Sequence, residues 1–147
     1  LTYIQSLGYN VEIPTEIKNG AEVFENIIKS KEEIISYVQK ILDSKQGIVG
    51  VIGKTREEIE YIGNYFKNEK RIHVTTMAMS QGVESDTVCI VGVDSDFFLI
   101  SNPGNLDEEF IEEKKRIQKD LLYVALTRAI SELHVLGSVK LRSISQK

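Results

Sequence analysis

The 147-residue sequence has no tryptophan, two prolines and one cysteine, and none of its apolar runs is long. The single cysteine, Cys89, excludes an internal disulfide framework and is typical of a reducing compartment. Its position in the apolar run TVCIVGV predicts a core residue. No run approaches the ~20 residues of a membrane span, and no signal-peptide pattern is present. We therefore expect a cytoplasmic protein with no membrane partner.

An excess of positive charge is also missing. The chain has 18 basic and 22 acidic residues and a net charge of −4. Free-standing nucleic-acid binders are normally basic, so this class of protein is disfavoured. The net charge is still compatible with a few local contacts to phosphates within a larger assembly. Apolar residues make up 41% of the chain and charged residues 27%, as in a globular domain. Because the chain opens directly at Leu1 in a patterned segment, we expect a piece of a longer protein.

Apolar spacing divides the chain into alternating helices and strands. Helical spacing predicts helices over the second half of Ala21–Ser44, over Arg56–Asn68 and over Glu108–Ala129. Ser30 and Glu33 form a capping-box pattern at the start of the first of these. Short apolar runs predict strands at Ile48–Ile52, Arg71–Met77, Asp86–Val93 and Glu132–Gly137. The remaining predictions are a helix end at Leu1–Leu7, a strand near Asn10–Ile13 and a loop at Asp96–Asp107.

This alternation, with apolar strands, predicts an α/β fold with a mainly parallel sheet flanked by helices. Ligands of open α/β sheets gather at the carboxyl ends of the strands. Lys54 directly follows one predicted strand, and the segment Gln81–Glu84 follows the next. Arg128 lies just past the last predicted helix. The residues alone therefore indicate a candidate cationic site. His73 and His134 lie within apolar strands, so we interpret them as core or edge residues and not as metal ligands.

The stretch GIVGVIGKTREE, residues 47–58, ends like a phosphate-binding loop at Gly53-Lys54-Thr55. That motif, GxxxxGK[ST], needs a glycine five residues before its last glycine, and this chain has Ile48 there. The intervening residues also have the pattern of a strand. The stretch is therefore not a P-loop, and a stand-alone P-loop NTPase is disfavoured.

Three segments resemble motifs of the UvrD/Rep-like superfamily 1 DNA helicases. DLLYVALTRAISELHV, residues 120–135, resembles motif VI, and TTMAMSQGVESDTVCIVG, residues 75–92, resembles motif V. VIGKT, residues 51–55, stands where motif IV belongs. The chain departs from motif V at Ala78, Gln81 and Ser85, where the family usually has histidine, lysine and phenylalanine. The short spacing is most similar to the helicase-IV-like branch.

The resemblance implies a RecA-like three-layer domain over residues 1–147, with a leading segment 1–46 and a motif-bearing core 47–147. It would be the second motor domain of an ATP-dependent helicase or translocase, inactive by itself. ATP and the Mg²⁺ ligands would lie against the first RecA-like domain of the same parent chain. The other implied partners are single-stranded DNA and a protein of replication, repair or transcription.

By resemblance, Arg128 would be the arginine that contacts the γ-phosphate of ATP, and Lys54 a second cation near the same phosphate. Arg56 competes with Lys54 for that role. A planar guanidinium can grip phosphate oxygens with two hydrogen bonds, whereas lysine offers a point charge. From the residues alone, Arg128 also fits a basic side chain at a helix carboxyl end.

The motif V residues would have two tasks. Glu84 would accept a hydrogen bond from the nucleotide ribose, with Gly82 allowing close backbone approach. Thr76 and Gln81 would contact the backbone of single-stranded DNA. The Ala78 and Gln81 departures leave open an alternative function, a helicase-like docking module without turnover.

Overall fold

A computed structural model describes residues 21–80, 84–94 and 108–139, and it contains five strands and three helices within those ranges. The strands are β1 (Glu22–Ile27), β2 (Val49–Gly53), β3 (Ile72–Thr76), β4 (Ser85–Val93) and β5 (Ala129–Gly137). The helices are α1 (Lys31–Ser44), α2 (Arg56–Tyr65) and α3 (Glu108–Leu126). The predictions for Leu1–Leu7, Asn10–Ile13 and Asp96–Asp107 lie outside the described residues.

The five strands form one sheet in the order β1-β5-β4-β2-β3, and every described pairing is parallel. Helices α1 and α2 pack on one face, where they share an apolar cluster with β2, β3 and β4. Helix α3 packs on the other face with β4 and β5. The predicted RecA-like α/β architecture, with helices on both faces of a parallel sheet, is confirmed.

Burial follows the pattern that a covered parallel sheet requires. All five residues of β2 are buried, as its continuous apolar run predicts. Cys89 is fully buried in β4, which confirms it as a core residue, and desolvation raises the pKa of its thiol to about 12. Of the two histidines, His134 is buried and His73 is exposed.

The first strand was not predicted. Its apolar residues Val23 and Ile27 lie in a segment that also contains the start of a helix, and periodicity alone cannot separate a short strand from a helix there. The partner of β1 is β5, from the other end of the chain, with Glu22 opposite Glu132. The leading segment thus supplies an edge strand of the sheet. The assignment of residues 1–147 to one domain stays a prediction.

Only one residue of the predicted buried stripe of α3 is buried in the structure. The sequence spacing predicts a buried stripe of Ile117, Leu121 and Val124 or Ala125 that leads to Arg128. Ile117 is 43% exposed, Leu121 and Val124 are half-buried, and Ala125 is buried. The buried residues are Leu122, Ala125 and Leu126. The helix also ends at Leu126, before the predicted Ala129, because Ala129 begins β5 opposite Ser85. Strand pairing therefore decides where this helix stops.

Side chains hold both ends of α1. The predicted cap at its amino end is confirmed, since the Ser30 hydroxyl accepts a hydrogen bond from the Glu33 amide at 3.2 Å. At the carboxyl end, the Arg71 guanidinium donates to the carbonyl oxygens of Leu42 at 2.5 Å and Lys45 at 2.8 Å. A cation that satisfies terminal carbonyls also complements the helix dipole.

A polar chain of four side chains joins α1 to β5. Lys45 forms a 2.6 Å ion pair with Glu132, and the other oxygen of Glu132 lies 2.9 Å from Nε2 of His134. Nδ1 of His134 lies 2.6 Å from the hydroxyl of Tyr37. The Lys45 ammonium, with help from His134, lowers the pKa of Glu132 below its usual value of 4.5. We call these four residues the Lys45–Tyr37 chain.

Glu132→Gln should therefore destabilise the fold in a pH-dependent way. A carboxyl group with a lowered folded-state pKa adds stability above its unfolded-state value and loses it as pH falls through the folded-state pKa. The wild-type advantage over the variant should be largest above about pH 5 and shrink towards pH 3. Urea denaturation at several pH values measures it, with Glu60→Gln on the exposed face of α2 as control. An advantage that does not change with pH would contradict the ion pair.

Candidate functional site

The parallel register sorts the predicted site residues to two opposite edges of the sheet. Arg128 directly precedes β5, and Glu84 directly precedes β4, so both lie at the edge where strands begin, here named the amino edge. The Ser85 amide donates to the Arg128 carbonyl at 3.0 Å, which brings the two backbones side by side. The pairing of β4 with β5 is irregular between Ser85 and Thr87. The structure therefore brings Glu84 and Arg128 together.

The Arg128 side chain folds back over the end of α3. Its Nε donates to the Val124 carbonyl at 3.2 Å, and Nη2 donates to the Thr127 hydroxyl at 3.3 Å. The Thr127 hydroxyl in turn donates to the Val124 carbonyl at 2.8 Å. Within the described ranges these contacts use two of the five N–H donors of a guanidinium. The partly buried group is thus positioned by its own helix end and keeps donors for an anion.

Asp86 fixes the neighbouring part of the amino edge. Its carboxylate accepts a hydrogen bond from the Ile48 amide at 2.8 Å, which ties the start of β2 to the start of β4. Gly47 has a φ of 92° and packs directly against this carboxylate. A side chain at residue 47 would meet both an unfavourable backbone conformation and the carboxylate. Asp86 therefore positions the backbone beside Glu84.

Lys54, Arg56 and Thr76 lie at the other edge, where strands end, here named the carboxyl edge. Lys54 follows β2, Arg56 begins α2, and Thr76 is the last residue of β3, opposite Gly53. The Lys54 amide donates to the Glu58 carboxylate at 3.1 Å. Desolvation raises the pKa of Glu58 above its usual value. Lys54 is partly buried and Arg56 is exposed.

A tight turn follows Thr76. Its hydroxyl oxygen accepts from the Met79 amide at 3.3 Å, and the Ser80 hydroxyl donates to the Met77 carbonyl at 2.8 Å. Met77 and Ser80 are buried, whereas the Met79 side chain is 65% exposed. Because the Thr76 oxygen acts as an acceptor within the turn, its O–H stays available to donate to another acceptor.

The two edges are too far apart for one phosphate. On β4, the partner of Ile52 is Ile90 and the partner of Ala129 is Ser85, five residues earlier. Lys54 lies two residues beyond Ile52, and Arg128 lies one residue before Ala129, so both add to this separation. At ~3.3 Å per strand residue the backbones of Lys54 and Arg128 are therefore separated by about 20 Å or more. The expectation that Lys54, or its rival Arg56, meets the same phosphate as Arg128 is corrected by the parallel register.

One short segment runs between the two edges. The chain leaves β3 at Thr76 on the carboxyl edge and enters β4 after Glu84 on the amino edge. A parallel connection usually takes a dozen or more residues, often a helix, so this is a short crossover. Gln81 and Gly82, the other two predicted motif V residues, lie in this segment but outside the described residues.

In ranges 21–80, 84–94 and 108–139, no group of three or more His, Cys, Asp or Glu side chains is placed to hold a metal ion. Of the three described helices, none is long and apolar enough to cross a membrane.

Sequence reasoning missed several residues that shape these edges. Glu58 accepts from the Lys54 amide four residues before it, and Arg71 donates to the Leu42 carbonyl 29 residues before it. Tyr37 meets His134 across 97 positions. The acidic residue in the first turn of α2 is a signal for Glu58, since carboxylates favour helix amino ends. For Tyr37 and Arg71 the sequence offers no local signal, because their partners are brought near only by strand pairing.

Comparison with known proteins adds to this geometry. A family model described as an AAA domain matches residues 8–140. The chain is also similar to the C-terminal domain of a possible DNA helicase from Lactobacillus plantarum WCFS1, with 17% sequence identity and a TM-score of 0.60. That similarity covers 97% of this chain and 87% of the other. At this identity it shows a shared fold. No curated protein matches the chain.

Proposed function

The chain belongs to the AAA domain family, and from this premise we propose that it is the second RecA-like motor domain of an ATP-dependent DNA helicase or translocase. The UvrD/Rep-like superfamily 1 motifs, the three-layer fold and the similarity to a helicase C-terminal domain support this proposal. The whole protein would be a cytoplasmic enzyme. This chain would form one wall of its ATP cleft, and the first motor domain would supply the P-loop and the Mg²⁺ ligands.

The amino edge is the proposed nucleotide side. Arg128 would place its remaining guanidinium donors on the γ-phosphate, where negative charge is redistributed during transfer. Glu84, exposed and next to Arg128, would accept a hydrogen bond from the ribose. Bound ATP with Mg²⁺ would supply the phosphoryl group, Arg128 would stabilise its negative charge, and Glu84 would orient the nucleotide through its ribose. The observation behind this assignment is the 3.0 Å hydrogen bond that joins the Ser85 amide to the Arg128 carbonyl.

The carboxyl edge is the proposed single-strand side. The Thr76 hydroxyl has an O–H that can donate to a further acceptor, and Lys54 and Arg56 lie on the adjoining strand end and helix start. These groups suit a phosphodiester backbone, which takes hydrogen bonds and cations without reading sequence. The net charge of −4 agrees with few such contacts. The segment from Met77 to Glu84 would then link strand binding at one edge to the nucleotide at the other.

Two variants of the full-length protein test this side. Thr76→Ala removes a hydrogen bond to a charged group, worth about 1.5–3 kcal/mol. Half-maximal stimulation of the ATPase should therefore need a concentration of single-stranded DNA about tenfold or more above that of the wild type.

Lys54→Met should weaken stimulation and also lower the salt slope of the DNA affinity by about 0.7, because one fewer counterion is released. Titration of ATP hydrolysis with DNA at several salt concentrations measures both.

Lys70→Met, an exposed lysine next to the amino end of β3, is the matched control and should leave the titration unchanged. A hydroxyl contact carries no charge, so Thr76→Ala should keep the wild-type salt slope. If DNA did not change the rate of ATP hydrolysis by the wild-type protein, the motor function would be wrong and the docking module would be favoured. The departures from motif V at Ala78 and Gln81 already favour that alternative.

A further inference from the structure

The loop between β2 and α2 is held by the carboxylate of Glu58, a residue in the first turn of α2. Its Oε2 accepts a hydrogen bond from the Lys54 amide at 3.1 Å. Burial raises the pKa of Glu58, and hydrogen bonds from the amides of Lys54 and Thr55 act against this rise. Within the described residues, the side chain of Thr55 makes no capping hydrogen bond at the start of α2. Glu58 therefore supplies the acceptor that this helix end needs.

The other side of the same carboxylate packs against β4. Gly92 of that strand has a φ of 78°, and a Cβ added there would lie 2.7 Å from Oε2 of Glu58. The pairing of β4 with β5 is irregular between Ile90 and Val93, and irregularities of this kind are common beside functional sites. The glycine allows this backbone conformation and leaves room for the carboxylate. The Glu58 side chain thus lies between this part of β4 and the loop that carries Lys54.

The loop is also tied to the neighbouring strand end. Gly53 pairs with Thr76, and the Gly53 carbonyl accepts a hydrogen bond from the Met77 amide at 2.9 Å. Lys54 and Thr76, both assigned above to the phosphodiester backbone, are therefore carried by two joined strand ends. Because the stem of a lysine is long and flexible, the position of the Lys54 backbone decides which phosphate its ammonium can reach.

The charge of Glu58 has a separate effect. Burial is the largest influence on its pKa and raises it, the Asp94 carboxylate raises it further, and the Lys54 ammonium lowers it. The Lys54 ammonium is therefore attracted to Glu58 as well as to a phosphate. Glu58 should favour strand binding through its hydrogen bonds and oppose it through its charge, and two different substitutions can separate these effects.

We propose that Glu58 is a positioning residue for strand binding, which holds the loop so that Lys54 and Thr76 meet the same stretch of phosphodiester backbone. This inference rests on the proposed function, since it takes the carboxyl edge as the single-strand side. Without the carboxylate the loop would have to be ordered when the strand binds, and that ordering lowers affinity. Glu58 itself does not contact the strand and acts through Lys54.

The test is the concentration of single-stranded DNA that half-maximally stimulates the ATPase of the full-length protein, measured at several salt concentrations. Glu58→Ala should raise this concentration about threefold or more and lower the salt slope by about 0.7, as expected when one lysine contact is lost. Glu58→Gln keeps an oxygen that accepts from the Lys54 amide and removes the competing charge, so it should bind DNA at least as tightly as the wild type. Glu60→Ala, at an exposed glutamate of the same helix, is the control and should change the concentration less than about twofold.

A double-mutant cycle shows whether Glu58 acts through Lys54. The variant with both Glu58→Ala and Lys54→Met should need no more DNA than Lys54→Met alone, because the second change removes the contact that Glu58 positions. A purely structural role would leave the salt slope unchanged, and its loss would add to that of Lys54→Met. Circular dichroism melts of the variants check that each is folded at the assay temperature.

Additive losses, an unchanged salt slope in Glu58→Ala, or equal losses in Glu58→Ala and Glu58→Gln would each overturn the inference. In all three cases, stimulation of the wild-type ATPase by DNA would leave the motor function standing. If DNA did not stimulate the wild type, the proposed function would fail and the role of Glu58 with it. The wild-type titration therefore tells the two failures apart.

Discussion

Arg128→Ala in the full-length protein is expected to lower kcat for ATP hydrolysis by about 10³–10⁵-fold, the usual contribution of an arginine that meets a transferring phosphoryl group. Nucleotide affinity should change much less, because the contact strengthens as charge is redistributed in the transition state. The fold should tolerate the change, since the described contacts of the guanidinium are to Val124 and Thr127 of its own helix end. Steady-state kinetics and nucleotide titration measure the two quantities.

Arg128→Lys should restore little of this activity, because lysine lacks the two-pronged donor geometry. The matched control is Arg116→Ala, which removes an exposed arginine of α3 that pairs with Glu113. That pair is exposed to solvent and contributes little to stability, so kcat should stay at the wild-type value. A near wild-type kcat in Arg128→Ala would remove Arg128 from the catalytic role and leave its helix-end contacts as its whole function.

Gly137→Ala is expected to be the most destabilising single methyl addition to the described sheet. Gly137 is the last residue of β5 and lies opposite both Val93 of β4 and Ile27 of β1. An added Cβ would lie on the Val93 carbonyl group, which already accepts a hydrogen bond from the Ser138 amide at 2.8 Å. Backbone atoms of a central strand cannot move aside like a flexible side chain, so we expect a loss of more than about 3 kcal/mol.

That loss corresponds to a fall in melting temperature of about 10 °C for a chain of this size. Gly63→Ala is the matched control, because Gly63 lies inside α2 and an added Cβ there comes no closer than 4.0 Å to its nearest neighbour, Val74. Replacing a helical glycine with alanine should stabilise the fold by about 0.5–1 kcal/mol. Thermal unfolding of both variants decides the matter, and a similar small shift in both would show that the end of β5 is looser than the pairing indicates.

What the sequence by itself determined was local. Apolar runs and helical spacing located β2, β3, β4, α2 and α3 to within a few residues, and the Ser30 cap of α1 followed from the capping-box pattern. The continuous apolar strands also determined the α/β class, because a strand buried on both faces needs helices on both sides of its sheet. Motif spacing singled out Arg128, Glu84 and Thr76 before any geometry was known.

Only the tertiary structure decided which of these residues meet. In the sequence, Lys54 and Arg128 are both basic residues next to a strand. Lys54 follows β2 and Arg128 precedes β5, so parallel pairing places them at opposite edges of the sheet. The edge strand β1 and the Lys45–Tyr37 chain were equally beyond local reasoning, since their partners lie about a hundred residues along the chain. The physical reason is that periodicity reports which face of an element is buried, whereas pairing across the sheet fixes which distant element covers it.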